Sequence, residues 1–144
     1  MGKRAAFSGR IVESRDTRYQ MKLNKTEFDR IVRRAIQRIP VEIRQHLANI
    51  LISVQRRPSK DLLAEMDMAP DELLLGIFEG TALPERSVTE PPLYPDTIFL
   101  FQEPLEEICE TVAELEEQIE VTVAHEIAHY LGLSDEELAK LGYD

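Results

Sequence analysis

The sequence predicts a single domain of the α+β class, on the basis of three observations. The chain has 144 residues, which is enough for one hydrophobic core and too few for two ordinary domains. Apolar residues recur at helical spacing in residues 24–39 and again over residues 104–131, whereas two shorter segments between them are rich in β-branched and aromatic side chains. Hydrophobic residues make up 43% of the chain and charged residues 31%, which is typical of a soluble globular protein and not of a disordered one.

The chain begins with a segment that has no hydrophobic period. Residues 1–22 are therefore expected to form an irregular basic arm, and residues 23–144 a single domain. The first helix is predicted from Asn24, which stands three residues before Glu27 as in a capping box, and it should end at Pro40. Its apolar face would consist of Phe28, Ile31, Val32, Ala35, Ile36 and Ile39.

The middle of the chain alternates short helices and strands. Residues 41–47 favour a short helix, and the β-branched run at residues 50–55 favours a strand. Two helical turns are expected to begin at Ser59 and Pro70 and to lead into a loop punctuated by glycines. After a proline-dense stretch, Thr97–Phe101 is the second predicted strand.

The last part of the chain predicts mostly helix. Residues 104–131 are almost uninterrupted helix-forming sequence, but a helix of roughly thirty residues is long for a small domain, so two helices with a bend near residues 111–114 are expected. Gly132 follows the last periodic residue, where a left-handed residue commonly ends a helix. Ser134 and Glu137 have the spacing of another capping box, which predicts a last helix.

The net charge of −10 hides a division of the chain into a basic and an acidic half. Residues 1–57 contain fourteen Lys and Arg against five acidic residues, whereas residues 58–144 contain three against twenty-two, so the halves carry +9 and −19. The favoured interpretation is that the halves attract each other within one fold. A nucleic-acid partner is the weaker alternative, because the basic residues are not interleaved with aromatic ones and the acidic half would repel phosphates.

Cysteine usage and hydropathy argue against secreted and membrane proteins. Cys109 is the only cysteine and cannot form an internal disulfide, which fits a reducing compartment; we interpret it as a small buried apolar residue. No apolar run is long enough for a signal peptide or a membrane span. We therefore expect a cytoplasmic protein with no membrane partner.

The most informative stretch is HEIAHYLGLSD at residues 125–135. On a helix, His125 and His129 lie about 40° apart around the axis with Cβ atoms roughly 5–6 Å apart, so both imidazoles can bind one metal ion. Glu126 is rotated off that axis, where it is better placed to act on a water as general base than to bind the metal. The competing interpretation is a motif that arose by chance on an acidic amphipathic helix, whose apolar stripe is Leu115, Ile119, Val123, Ile127 and Leu131.

Asp135 has two interpretations. A turn at Gly132 would carry its carboxylate back toward His129 as a third metal ligand. It also suits the first turn of the last helix, where a carboxylate is favoured by the helix dipole. The two roles are compatible, because a residue at a helix start can still direct its carboxylate inward, and the ligand role is the favoured one.

The run HEIAHYLGLSD matches H-E-x-x-H-x-x-G-x-x-D, the aspartate form of the metzincin signature. Together with LLLGIFEGTALPERS and TIFLFQEPLEE upstream, it resembles the small zincin-like metallopeptidases of bacteria over residues 26–135. The resemblance implies a minimal zincin fold, in which a short mixed β-sheet packs on several helices that include the active-site helix. It also implies that His125, His129 and Asp135 bind Zn²⁺ and that Glu126 is the catalytic general base.

The implied activity is hydrolysis of a peptide or protein substrate. Thr97–Phe101 could pair with an extended peptide as an edge strand, or could simply be a core strand. Tyr130 lies one turn beyond Glu126 and could steady it, although core packing is the favoured role. Metzincins have a methionine turn after the third ligand, and none of the nine residues after Asp135 is methionine. The alternative function is thus a metal-binding interaction module with little or no proteolytic activity.

Overall fold

A computed structural model of the protein describes residues 3–10, 21–69, 72–80 and 96–143, with the side chains of the first range described only at Gly9. The described elements are β1 (Lys3–Arg10), α1 (Lys25–Arg38), α2 (Val41–Arg44), a 3₁₀ helix (Gln45–Asn49), β2 (Leu51–Gln55), α3 (Lys60–Met66), β3 (Glu72–Gly80), β4 (Thr97–Phe101), α4 (Gln102–Glu107), α5 (Val112–Leu131) and α6 (Asp135–Lys140). The fold is therefore of the α+β class, as the sequence predicts.

The strands form one mixed sheet in the order β1-β3-β4-β2. Strand β3 pairs antiparallel with both β1 and β4, and β2 pairs parallel with β4. Phe7 pairs with Gly76 and Ser8 with Leu74, so Leu75 is the extra residue of a bulge in β3. Because a bulge changes which face the following residues occupy, Leu75 and Phe78 both reach the main core while Leu74 and Ile77 reach the opposite face.

Helices α1 and α5 pack against each other and cover one face of the sheet together with α4. This main core is mostly aliphatic, as the scarcity of aromatic residues suggests, and its aromatic members are Phe28, Phe78, Tyr130 and Tyr143. Its fully buried side chains include Phe28, Phe78, Ile98, Leu100, Leu105, Leu115, Ile119 and Ile127. A smaller cluster on the other face packs Leu74, Ile77 and Phe101 against Leu62 and Met66 of α3. The sheet is thus buried on both faces. Helix α5, which carries the HEIAH motif, lies on the same face as α1.

Most predicted elements are confirmed, and their ends follow from the expected caps. The Asn24 side chain accepts a hydrogen bond of 2.8 Å from the Glu27 N–H at the start of α1. Ser59 caps α3 in the same way. The predicted break in the long helical segment lies between α4 and α5, where Thr111 caps α5. Strand β4 has the predicted bounds, and β2 begins one residue later than expected.

Two predictions were wrong. Residues 3–10, which were expected to belong to an irregular arm, form strand β1 at the edge of the sheet. Residues 72–80, which were expected to continue from a helical turn into a loop, form the central strand β3. A strand that is buried on both faces has an unbroken apolar run and no alternation, so its sequence is easily confused with that of a short buried helix. Pro70 and the predicted loop at residues 81–95 lie outside the described residues.

The position of β4 also excludes one predicted role. Strand β4 lies between β3 and β2, and both neighbours use its main-chain groups. An added peptide strand needs a free edge, so β4 cannot accept one. The alternative interpretation, a core strand, is confirmed by the burial of Ile98, Leu100 and Phe101.

Contacts between the basic and acidic halves of the chain join α1 to α5. Arg34 pairs with Glu116 at 2.9 Å, and Arg38 pairs with both Glu116 and Glu120 at 3.1 and 3.2 Å. The same kind of contact joins Arg56 and Arg57, after β2, to Glu103 of α4. These ion pairs support the interpretation that the two halves attract each other within one fold. No helix in the described part of the chain is long and apolar enough to cross a membrane.

Candidate active site

Helix α5 carries the HEIAH motif and lies unusually close to the sheet. A Cβ atom on Gly76 of β3 would stand 2.8 Å from the Thr122 Cγ2 atom and 3.1 Å from the Phe99 carbonyl oxygen. The absence of a side chain at this position therefore lets α5 approach β3 one turn before the motif. Because α5 packs against β3 and β1, the motif lies beside the β1–β3 side of the sheet.

His125 and His129 lie on successive turns of α5, as their spacing predicts. His125 is half-buried, and the His129 side chain is 41% exposed, so both imidazoles are near the surface. The His129 Nδ1 atom stands 3.8 Å from the Glu126 carboxylate, which is too long for a hydrogen bond. Since Nδ1 faces this carboxylate, Nε2 is the His129 nitrogen best placed to bind an added metal ion.

Glu126 is fully buried, which the sequence does not predict. Its side chain is 0% exposed, and neither carboxylate oxygen makes a hydrogen bond with any of the described residues. Burial raises the pKa of the Glu126 carboxyl, while His129 and the main chain of Phe78 act in the opposite direction. A buried acid with an incomplete set of partners is costly for the fold and is typical of a functional group.

The pKa values of the two histidines are shifted in opposite directions. Burial, together with the nearby charge of His129, lowers the pKa of His125. The neighbouring Glu126 carboxylate raises the pKa of His129 against the effect of burial. The charge of Asp135 raises the pKa of both imidazoles, so its carboxylate is close enough to act on each of them.

The turn after α5 has the predicted conformation. Gly132 is left-handed with φ 75° and ψ 24°, and the Leu133 N–H donates to the Ala128 carbonyl at 2.9 Å. Ser134 then caps α6 by accepting a hydrogen bond of 3.1 Å from the Glu137 N–H. Asp135 is exposed in the first turn of α6, so its helix-start role is confirmed. Its role as a metal ligand stays a prediction.

The three predicted ligands are neighbours but do not form a closed set of ligands. Across residues 3–10, 21–69, 72–80 and 96–143, no three His, Cys, Asp or Glu side chains stand in an arrangement that could already hold a metal ion. The two imidazoles are joined by the helix, whereas Asp135 belongs to a separate short helix. Closure would therefore require side-chain rotation or a small movement of α6.

Two further residues border Glu126 on its buried side. Tyr130 and Phe78 are in edge-to-face contact, with ring centroids 5.8 Å apart and planes inclined by 62°. Tyr130 is 4% exposed, so the core-packing role favoured from the sequence is confirmed. The sequence does not predict that Phe78 lies at this site, because only the tertiary structure brings β3 next to α5.

Comparison with known proteins agrees with this description. The sequence model of the zincin-like metallopeptidases matches residues 47–143, a stretch that includes most of the sheet and residues 125–135. Among curated proteins, none matches the chain. The family match covers more than half of the sequence, and the chain therefore belongs to the zincin-like metallopeptidase family.

Proposed function

We propose that the protein is a zinc-dependent metallopeptidase in which His125, His129 and Asp135 hold the metal and Glu126 is the general base. The observation that carries this proposal is the buried Glu126 carboxylate, which stands 3.8 Å from His129 Nδ1 and lacks a hydrogen-bond partner among the described residues. In a member of a metallopeptidase family, an acid in this position fits a catalytic role better than a structural one.

The types of ligand support zinc. Two imidazole nitrogens and one carboxylate are a common protein ligand set for catalytic zinc, which keeps one position open. Zinc held by this set would polarise a carbonyl oxygen and increase the acidity of water. The charge of Asp135 raises the pKa of both imidazoles, which supports its choice as the third ligand.

Glu126 would move the proton. Its raised pKa, which results mainly from burial, brings the carboxyl closer to the range in which it can both take up and release a proton near neutral pH. A Glu126 oxygen would take a proton from the attacking water and deliver it to the nitrogen of the leaving amine. The apolar surroundings provided by Phe78 and Tyr130 would keep bulk water away from that carboxylate.

The substrate would be an extended peptide. Strand β1 is an outer strand of the sheet formed by the described residues, and α5 packs against it. A peptide added to β1 would therefore run beside the helix that carries Glu126. Strand β4, in the interior of the sheet, cannot serve this purpose.

Metal content and peptide hydrolysis test the proposal separately. We expect purified protein to bind about one zinc ion, and His129→Ala to lose it. Glu126→Gln should keep the zinc and lose hydrolysis of a mixed peptide library by at least about 10²-fold, because the general base is removed. Glu136→Gln, which changes an exposed carboxylate in the same region, is the matched control and should have neither effect. Wild-type activity in Glu126→Gln would overturn the enzymatic proposal.

The second candidate function is a metal-binding interaction module. The absence of a closed three-ligand group among the described residues favours it, because catalytic sites are usually preorganised. A stable partner captured equally well by wild type and by Glu126→Gln would support this function. A protein retained only by Glu126→Gln would instead identify a substrate.

A further inference from the structure

Helix α6 carries Asp135 and is attached to the domain by few side chains. It has six residues, of which Leu138 is the buried one, at 2% exposure. Asp135 and Leu138 are three residues apart and therefore lie on the same face of the helix. Burial of Leu138 in the main core, which also contains Ile127 and Ala128 of α5, therefore fixes the side of α6 that carries Asp135, whose own side chain is exposed.

A second anchor follows α6. The N–H groups of Leu141 and Tyr143 both donate to the Leu138 carbonyl, at 3.0 and 3.2 Å, and the Gly142 N–H donates to the Ala139 carbonyl at 3.0 Å. Gly142 is left-handed with φ 98°, so the chain reverses direction there. The reversal places the Tyr143 side chain in the main core at 8% exposure.

Tyr143 packs in the main core, which includes buried side chains of both α1 and α5. Burial raises the pKa of its hydroxyl, the charge of Glu120 raises it further, and the charge of Arg38 lowers it. Arg38 and Glu120 form one of the ion pairs that join α1 to α5, at 3.2 Å. Tyr143 therefore fixes the end of α6 to the two helices that support the HEIAH motif.

We infer that Tyr143 is a positioning residue for Asp135, so that its docking holds α6 where the Asp135 carboxylate can complete the metal site. This inference rests on the proposed function. Leu138 alone would leave a six-residue helix free to rotate about one contact, whereas Leu138 and Tyr143 together define its orientation. If α6 turned about Leu138, rotation of the Asp135 side chain alone would no longer bring its carboxylate to His125 and His129.

The test measures the zinc dissociation constant by competition with a chromophoric chelator, alongside the thermal midpoint of the metal-free protein. We expect Tyr143→Ala to weaken zinc binding by roughly 10-fold, in the range typical of residues that orient metal ligands, and Tyr143→Phe to bind zinc as the wild type does. In an Asp135→Asn background, Tyr143→Ala should weaken zinc binding no further. Met66→Ala, a truncation in the smaller cluster on the other face of the sheet, should lower the midpoint and leave zinc affinity unchanged.

A second variant covers the case in which Tyr143→Ala does not fold. Gly142→Ala strains the reversal at φ 98° without a steric clash, since nothing lies within 4 Å of the added methyl group, and it should weaken zinc binding in the same direction.

The inference is overturned if Gly142→Ala and Tyr143→Ala leave zinc affinity at the wild-type value. It is also overturned if Tyr143→Ala weakens binding equally with and without Asp135. A different result would overturn the proposed function itself, namely that His129→Ala leaves zinc binding unchanged.

Discussion

Glu126 shows how much a single residue depends on its surroundings. The spacing of the motif places it next to His125 and off the axis of the two imidazoles. The structure adds complete burial, a separation of 3.8 Å from His129 and a raised pKa. A charge held in this way makes the fold less stable, because ionisation in a buried site gives up hydration that the protein does not replace.

We predict that Glu126→Gln stabilises the metal-free protein at neutral pH by about 1–3 kcal/mol in free energy of unfolding, because a neutral amide replaces a carboxyl that must ionise in a buried site, and one pKa unit corresponds to about 1.4 kcal/mol. The folded-state pKa of Glu126 lies above its ordinary value of 4.5. Below pH 4.5 the carboxyl is protonated in both the folded and the unfolded protein, so the buried charge costs the wild type no stability. As the pH rises through the folded-state pKa, the free energy of unfolding of the wild type decreases. Urea unfolding from pH 4 to pH 8 in the presence of a chelator measures the difference.

The exposed neighbour Glu136 provides the control for this prediction. Glu136→Gln should change the free energy of unfolding little at any pH, because its side chain is in solvent. If Glu126→Gln raised stability equally at pH 4 and pH 8, the effect would not come from ionisation of the buried carboxyl.

The contact between α5 and β3 decides where the motif lies. Gly76 leaves room for Thr122, and the Thr122 hydroxyl donates to the Gln118 carbonyl at 2.8 Å within the helix. The Thr122 side chain can therefore pack directly against the β3 main chain. Any side chain at position 76 would prevent this close contact. The position of His125, one turn further along α5, depends on this contact.

We predict that Gly76→Ala destabilises the protein by about 1–3 kcal/mol, the usual cost of overpacking, because the added methyl group would stand 2.8 Å from Thr122 Cγ2. Thr122→Ser removes that atom and keeps the hydroxyl, so the double variant should recover part of the loss. Denaturant unfolding of the two single variants and the double variant measures the coupling between the residues. Purely additive effects would show that the Phe99 carbonyl, 3.1 Å away, is the obstacle instead.

The charge division of the chain acts at the scale of the whole molecule. The basic half carries +9 and the acidic half −19. Ion pairs between basic residues of α1 and acidic residues of α5 therefore join two helices that are distant in sequence. Individually such exposed pairs contribute little, but Arg38 bridges two carboxylates and also lies near Tyr143. Electrostatic attraction between the two halves of the chain therefore helps to fix the orientation of α5 relative to α1.

We predict that Arg38→Gln lowers the free energy of unfolding by up to about 1 kcal/mol at low salt, and by less in 1 M NaCl, where the screening length is about 3 Å. Arg33→Gln, on the exposed face of α1, is the matched control and should have a smaller effect. Thermal unfolding at two salt concentrations measures both variants. A loss for Arg38→Gln that is independent of salt would indicate packing of the arginine stem as the cause.

Features that depend on local spacing could be predicted from the sequence. These are the capped starts of α1, α3 and α6, the left-handed turn at Gly132, strand β4, and the candidate site residues proposed from the motif. Each is set by residues within one or two turns of each other, where hydrogen bonding and side-chain periodicity leave few alternatives.

Features that depend on distant partners could not be predicted without the three-dimensional packing. Strand β3 is central because β1 and β4 supply its hydrogen bonds, and its apolar run alone did not distinguish it from a helical turn. The burial of Glu126 depends on Phe78, which is nearly fifty residues earlier in the chain. The burial of Tyr143 likewise depends on a core formed by side chains of α1 and α5. Such contacts join segments whose local sequences carry no signal of one another, so packing energy, not spacing, selects them.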